Sequence, residues 1–283
     1  MDIFDKFARG FFSNPLYTIW FLLYFFISMK LLNGNVGLTL LLYGISIAIA
    51  LSSLGEMLLR FIERIRPLYT KAEKEYLIPI FEEVYNEAKE KYPKLSDIEI
   101  CTIDTVTIKA CAIGGKTVAV SRGAMETFSE DELKAIIAHE IAHIVNGDSI
   151  ATLLTTIGNG IFALFVFVIK SAIMAYDIIE DETGLENKIN DAIKMIFSVL
   201  IFIVVFPGQI LLSIGSRQNE YRADKFSYEV GYGNYMIDAL YLLEKINLGD
   251  NSSIVARMTA SHPIIAKRIG ELEAIADGET GEQ

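Results

Sequence analysis

Hydrophobic and polar positions along this chain fall into blocks of contrasting period, and the blocks predict its elements. Phe4, Phe7 and Phe11 recur at helical spacing opposite Asp5 and Arg9, the pattern of an amphipathic helix lying on a membrane surface. Asn14-Pro15 breaks it. Leu16 to Leu32 is apolar apart from Lys30, Asn33-Gly34-Asn35 makes a turn, and Val36 to Gly55 carries no charge. These two runs predict a transmembrane hairpin. A cleaved leader fits less well, because no small-x-small site follows the first run and a second run comes at once. A Glu- and Lys-rich helical pattern runs from Tyr69 to Tyr92 and stops at Pro93. Alternation at Ile98 and Ile100, at Val106, Ile108, Ala110 and Ala112, and over Lys116 to Ser121 predicts strands, with Gly114-Gly115 as a turn.

Ser129-Glu130-Asp131-Glu132 is a capping box that starts a helix running to about Asn146. A third apolar run covers Ser149 to Ile169, an acidic stretch Asp177 to Asp191, and a fourth run Met195 to Gly215 with a kink at Pro207-Gly208. Helical patterns return over Ser216 to Gly231 and Tyr235 to Asn247. A last helix begins at Pro263, and the tail after Ala276 reads as disordered. The expected organisation has four parts. Residues 1–59 form the interfacial helix and first hairpin, and 60–148 the first part of a catalytic domain. Residues 149–215 form a second hairpin, and 216–283 complete the catalytic domain. The expected class is α+β, mainly helical, with four spans and a small sheet. A buried helical hairpin of a soluble domain is the alternative for the third and fourth runs.

Composition supports the membrane reading. Of the 283 residues 52% are hydrophobic, and the mean hydropathy is +0.37. The net charge of -11 argues against a nucleic-acid partner, which needs clustered Lys and Arg. Cys101 and Cys111 are too few and wrongly spaced for a disulfide framework or a CxxC metal pair, and suit small buried hydrophobes in a reducing setting. Basic residues gather near the N-terminus and at Arg60, Arg64, Arg66, Arg217 and Arg222, whereas the 177–191 loop is acidic. By the positive-inside rule, both termini and the 60–148 block face the cytoplasm, against Lys30 and Lys170.

The chemistry is concentrated in His139-Glu140-Ile141-Ala142-His143. Residues four apart on a helix share a face, so both imidazoles reach one metal ion, and Glu140 stands beside them to meet a water. The chain has three histidines and two of them lie here. A catalytic zinc takes a third protein ligand. A further histidine at metzincin spacing is absent, Asp148 lies too close along the same helix, and the cysteines lie on earlier strands. Carboxylates and His262 remain. Glu220, four residues before Asp224 on one helix face, returns closest to His143 if the third and fourth runs form a hairpin.

With these residues the chain resembles the HtpX family of membrane zinc metalloproteases, related to the CAAX prenyl proteases, within the gluzincin type. The matching strings are Val120-Ser121-Arg122-Gly123, Asp131-Glu132-Leu133, the His139–His143 motif through Asn146-Gly147-Asp148, Glu220-Tyr221-Arg222-Ala223-Asp224, and His262-Pro263 with Arg268. The resemblance implies that His139, His143 and Glu220 bind one zinc ion and that Glu140 is the general base and then acid. It further implies that Asp224 orients a zinc-bound histidine, that His262 and Arg268 face the oxyanion, and that residues 109–112 form the rim strand for substrate. The family often has Asn-Ala-Phe-Ala at that rim, where this chain has Lys109-Ala110-Cys111-Ala112, and Ile264 replaces a second Pro. The implied activity is cleavage of membrane or misfolded proteins at the cytoplasmic face of the bilayer. Processing of prenylated or lipidated tails is a rival, and so is a zinc-binding scaffold without turnover.

Overall fold

The computed structural model describes residues 3–31, 34–159, 217–247 and 265–278. The third run beyond residue 159, the acidic stretch, the fourth run with Pro207, the His262-Pro263 pair and the tail beyond 278 lie outside the described residues. What is described is mainly helical, with one small mixed sheet.

The N-terminal part comprises helices α1 (Ile3–Phe12), α2 (Pro15–Leu31), α3 (Val36–Leu51) and α4 (Ser53–Ile62). The aromatic stripe of α1 is not simply a membrane-facing surface. Phe7 and Phe11 pack with Leu51, Ile150 and Leu154, while Phe4 remains exposed. Gly10 makes this approach possible, since a Cβ there would lie 2.8 Å from Ile150. The second apolar run does not continue unbroken to Gly55. Ser52 interrupts it, accepting from the Leu54 N–H at 3.2 Å as an N-cap, and α3 and α4 meet at a 70° bend. Among the described residues no single helix is long and apolar enough to cross a membrane; the bent pair α3 and α4 together meets the test of length and composition alone.

The sheet contains β1 (Ile65–Arg66), β2 (Glu99–Ile103), β3 (Ala110–Ile113) and β4 (Thr117–Ser121) in the order β1-β2-β4-β3. β2 and β4 run parallel, and the other pairs are antiparallel. β1 carries no alternating pattern and is not legible from the sequence. The predicted strand over Val106 to Ala112 begins only at Ala110. Residues before it form a loop clasped by Ser121, whose Oγ donates to the Thr107 carbonyl at 2.7 Å and accepts from the Lys109 N–H at 3.0 Å. Gly123 admits this loop, because a Cβ there would stand 2.1 Å from the Val106 carbonyl oxygen. β3 is left at the sheet edge.

Helix α5 (Lys71–Lys91) carries a Thr70/Glu73 capping box and buries Leu77, Ile80, Phe81, Val84 and Ala88, one stripe of a 3.6-residue period. A short helix, α6 (Arg122–Thr127), leads to α7 (Glu130–Asn146). The predicted capping box of α7 is present: Glu132 N–H donates to Ser129 Oγ at 3.3 Å and Ser129 N–H to the Glu132 carboxylate at 2.7 Å. Leu133 to Ala142 are all buried, so α7 is the central rod of the core. It ends at Gly147, whose φ of 83° lies in the left-handed region open to glycine. The chain then turns at once into α8 (Asp148–Thr156). The core closes with a helix over residues 217–227, a π turn at Tyr228–Tyr232 and helices Gly233–Asn247 and Ile265–Ala276. Ala223, Phe226, Leu240 and Leu272 pack there with Ile137 and Ile141 of α7.

Candidate metal centre

Helix α7 presents His139 and His143 one turn apart on one side, and the 217–227 helix lays Glu220 against them. The two Nε2 atoms are 3.2 Å apart. His139 Nε2 lies 3.5 Å from Glu220 Oε2, and His143 Nε2 lies 3.5 Å from Glu220 Oε1. Ligand atoms about 2.0–2.1 Å from a tetrahedral zinc stand about 3.3 Å from one another. The spacing of the two Nε2 atoms is close to that value, and each lies 3.5 Å from one oxygen of the Glu220 carboxylate; two imidazoles with one carboxylate form a catalytic-type zinc donor set. The residues therefore fit the ion.

The other face of each imidazole is occupied. His139 Nδ1 is 2.9 Å from Asp224 Oδ1, and His143 Nδ1 is 3.1 Å from Asp148 Oδ2. A carboxylate on Nδ1 places the ring proton there and turns the Nε2 lone pair toward the metal position. The carboxylates are held in turn. Arg268 grips Asp224 with two bonds of 2.6 and 2.7 Å, and its Nη1 lies 3.0 Å from Glu220 Oε2. Arg222 reaches Asp148 at 3.3 Å and the Ser13 carbonyl at 3.3 Å. Burial opposes charging of either imidazole. The bonds to Asp224 and Glu220 at His139, and to Asp148 and Glu220 at His143, outweigh it and raise both pKa values. Burial likewise opposes ionisation of Asp224, yet His139 and Arg268 hold its carboxyl below the usual range.

A cleft opens beside this centre. Glu140, His143 and Glu220 line it, together with Lys109, Ala110, Cys111 and Ala112 of the rim and Tyr17 of α2. Cys111 is no nucleophile at neutral pH: burial, then the charge of Glu140, pushes its thiol up to about 12. Lys109, where the resembled family often has Asn, pairs with Glu63 at the end of α4, and both line the cleft.

The structure thus brings together His139, Glu140, His143, Glu220 and Asp224, and sets residues 109–112 along the same cleft. His262 lies outside the described residues. Arg268, implied to face the oxyanion, is buried and paired with Asp224 and Glu220. Three participants escape sequence reasoning: Asp148, Asn219 and Tyr17. Asp148 looks too close to His143 to turn back on it, but the left-handed Gly147 starts a new helix in a new direction. A glycine directly after a metal-binding helix is the signal that would have found it.

Comparison with known proteins agrees with this geometry. Residues 71–276 match the pattern of peptidase family M48. Protease HtpX of Pseudomonas fluorescens is 34% identical over 170 residues, which cover 55% of this chain and 56% of that protein. The Protease HtpX homolog of Bordetella pertussis is 31% identical over the same length and shares. The chain thus spans little more than half the length of these relatives. A crystal structure of Ste24p from S. mikatae superposes with a TM-score of 0.50 at 18% identity, covering 94% of this chain and 63% of that one, a likeness of fold. The match spans most of the chain and contains the whole donor set: this chain belongs to peptidase family M48.

Proposed function

We propose that the protein is a zinc-dependent endopeptidase anchored at a membrane. The observation that carries this reading is the convergence of His139, His143 and Glu220, with each imidazole backed by a carboxylate and Glu140 in the adjoining cleft. Zinc bound there supplies Lewis acidity, polarising a peptide carbonyl and bringing the pKa of water toward neutrality.

The chain's own residues do the rest. Among the described residues β3 is an edge strand along the cleft, so an extended peptide adds as a further strand through main-chain bonds, favouring broad over sharp sequence choice. Glu140 takes a proton from the attacking water and then gives it to the departing amine. Asp224 and Asp148 hold the Nδ1 side of each ring, which aims both Nε2 atoms at the ion position and makes them better donors. Arg268 acts through Glu220 and Asp224: it neutralises two buried carboxylates that would otherwise repel. His262 is proposed as an oxyanion donor on the strength of the resemblance.

The apolar N-terminal helices support a membrane-anchored, multi-pass enzyme, with charge asymmetry favouring a cytoplasmic catalytic domain. Membrane proteins and unfolded chains at that surface are the proposed substrates, in protein quality control. The test is the full-length chain in detergent with a fluorogenic extended peptide. Wild type should bind one zinc and cleave, and Glu140→Gln should keep the zinc and lose activity by about 10²–10⁴-fold, the range of general acid–base catalysis. Undiminished cleavage by Glu140→Gln would end the proposal.

A further inference from the structure

The N-terminal segment reaches into the metal centre through a single polar elbow, residues 13–17. Asn14 starts α2: its Oδ1 accepts from the Leu16 N–H at 2.9 Å. Its side-chain amide donates to Gln218 Oε1 and to Asn219 Oδ1, both at 3.3 Å. The elbow is thereby fastened to the residues just before the metal ligand Glu220. Ser13 adds its carbonyl to the Arg222 guanidinium.

This fastening brings Tyr17 into the cleft beside Glu140, His143 and Glu220. Its hydroxyl oxygen accepts from Asn219 Nδ2 at 3.1 Å. The orientation of the Asn219 amide is fixed, because its Oδ1 receives bonds from both Asn14 and Arg222. Only its NH₂ group is left to face Tyr17, and Asn219 is 2% exposed, so the arrangement is built into the core. A phenol has one proton to give. With Asn219 occupying the acceptor side, that proton has no acceptor among the described residues and is available to whatever lies in the cleft.

Resting on the peptidase reading above, we infer that Tyr17 is a catalytic residue, its hydroxyl donating a hydrogen bond to the oxygen of the scissile peptide carbonyl. When water adds to the carbonyl carbon, the C=O π pair moves onto that oxygen and one water proton passes to Glu140. The Tyr17 O–H stabilises the new negative charge without giving up its proton. On collapse the C=O re-forms, the C–N bond breaks and the Glu140 proton leaves with the amine. A donor aimed where charge develops acts on the transition state more than on the bound substrate.

Tyr17→Phe keeps the ring and removes only the donor. In the full-length chain, with the fluorogenic peptide, kcat should fall about 10–100-fold while KM stays within about twofold, somewhat below the loss seen when a fully enclosed oxyanion donor is removed. Zinc content and melting temperature should match wild type. Affinity for a phosphonamidate peptide, which carries a tetrahedral anion, should weaken by a similar factor. An unchanged kcat overturns the inference, and so does a loss of activity that follows loss of zinc or of thermal stability, which would make Tyr17 structural. The peptidase reading is judged separately, by wild type against Glu140→Gln; failure there removes both.

Discussion

The two sides of the metal centre are built alike and secured differently. On each side a carboxylate holds the Nδ1 of a histidine and an arginine holds the carboxylate. At His139 the supports come from two other helices, and everything is enclosed: Arg268 is 7% exposed and makes two short bonds to Asp224. At His143 the carboxylate follows five residues later along the chain, and Arg222 is 45% exposed with contacts of 3.3 Å. The first side draws its rigidity from the core. The second draws it from a turn, and it is tied to the N-terminal elbow. The difference teaches that the His139 side carries folding energy, whereas the His143 side is where the anchoring segment touches catalysis.

That contrast can be broken experimentally. Arg268→Ala leaves two buried carboxylates without their cation and should destabilise the fold by about 3–5 kcal/mol, read from chemical denaturation. A change below about 1 kcal/mol would show that the enclosed side is not the stronger. Asp224→Asn should weaken zinc binding near the upper end of the roughly 10–100-fold range for such supports, and Asp148→Asn near the lower end, measured by competition with a chelator. The reverse order would erase the distinction. Arg222→Ala, removing a half-exposed ion pair, should change stability by no more than about 1 kcal/mol and zinc affinity by less than about threefold.

The smallest effect lies outside the centre and checks that pH acts on it separately. Arg66, with the backbone N–H groups of Thr70 and Tyr69, holds the Glu73 carboxyl down to about 2 from an ordinary 4.5. A depressed carboxylate stabilises the fold above its unfolded pKa, and that contribution disappears as pH falls through the folded value. Glu73→Gln should therefore lower the urea midpoint at neutral pH, with the gap to wild type closing between about 4.5 and 2, and leave zinc affinity unchanged.

Local chemistry made part of this legible. The α7 capping box, the His139–Glu140–His143 motif and the Glu220/Asp224 spacing are short-range patterns, and in the structure the box closes, the two imidazoles meet, and Glu220 and Asp224 both reach His139. What stayed hidden depends on distant partners or single-residue breaks. β1 is two residues long and is a strand only because β2 pairs with it. Ser52 sits within an apolar run, and its capping role is invisible to hydropathy. Phe7 and Phe11 look the same whether lipid or α8 covers them. Asn219 and Tyr17 are separated by about two hundred positions in sequence, and neither carries a motif.

Gly147 gives the His139–Glu140–His143 motif a condition for use elsewhere. Grafted onto an uninterrupted helix, the five residues would still present two imidazoles, but residue 148 would ride on along the helix axis and the second ring would be free to rotate. A designer borrowing this centre would have to carry over the left-handed stop and the acid behind it as one unit of ten residues, His139 to Asp148.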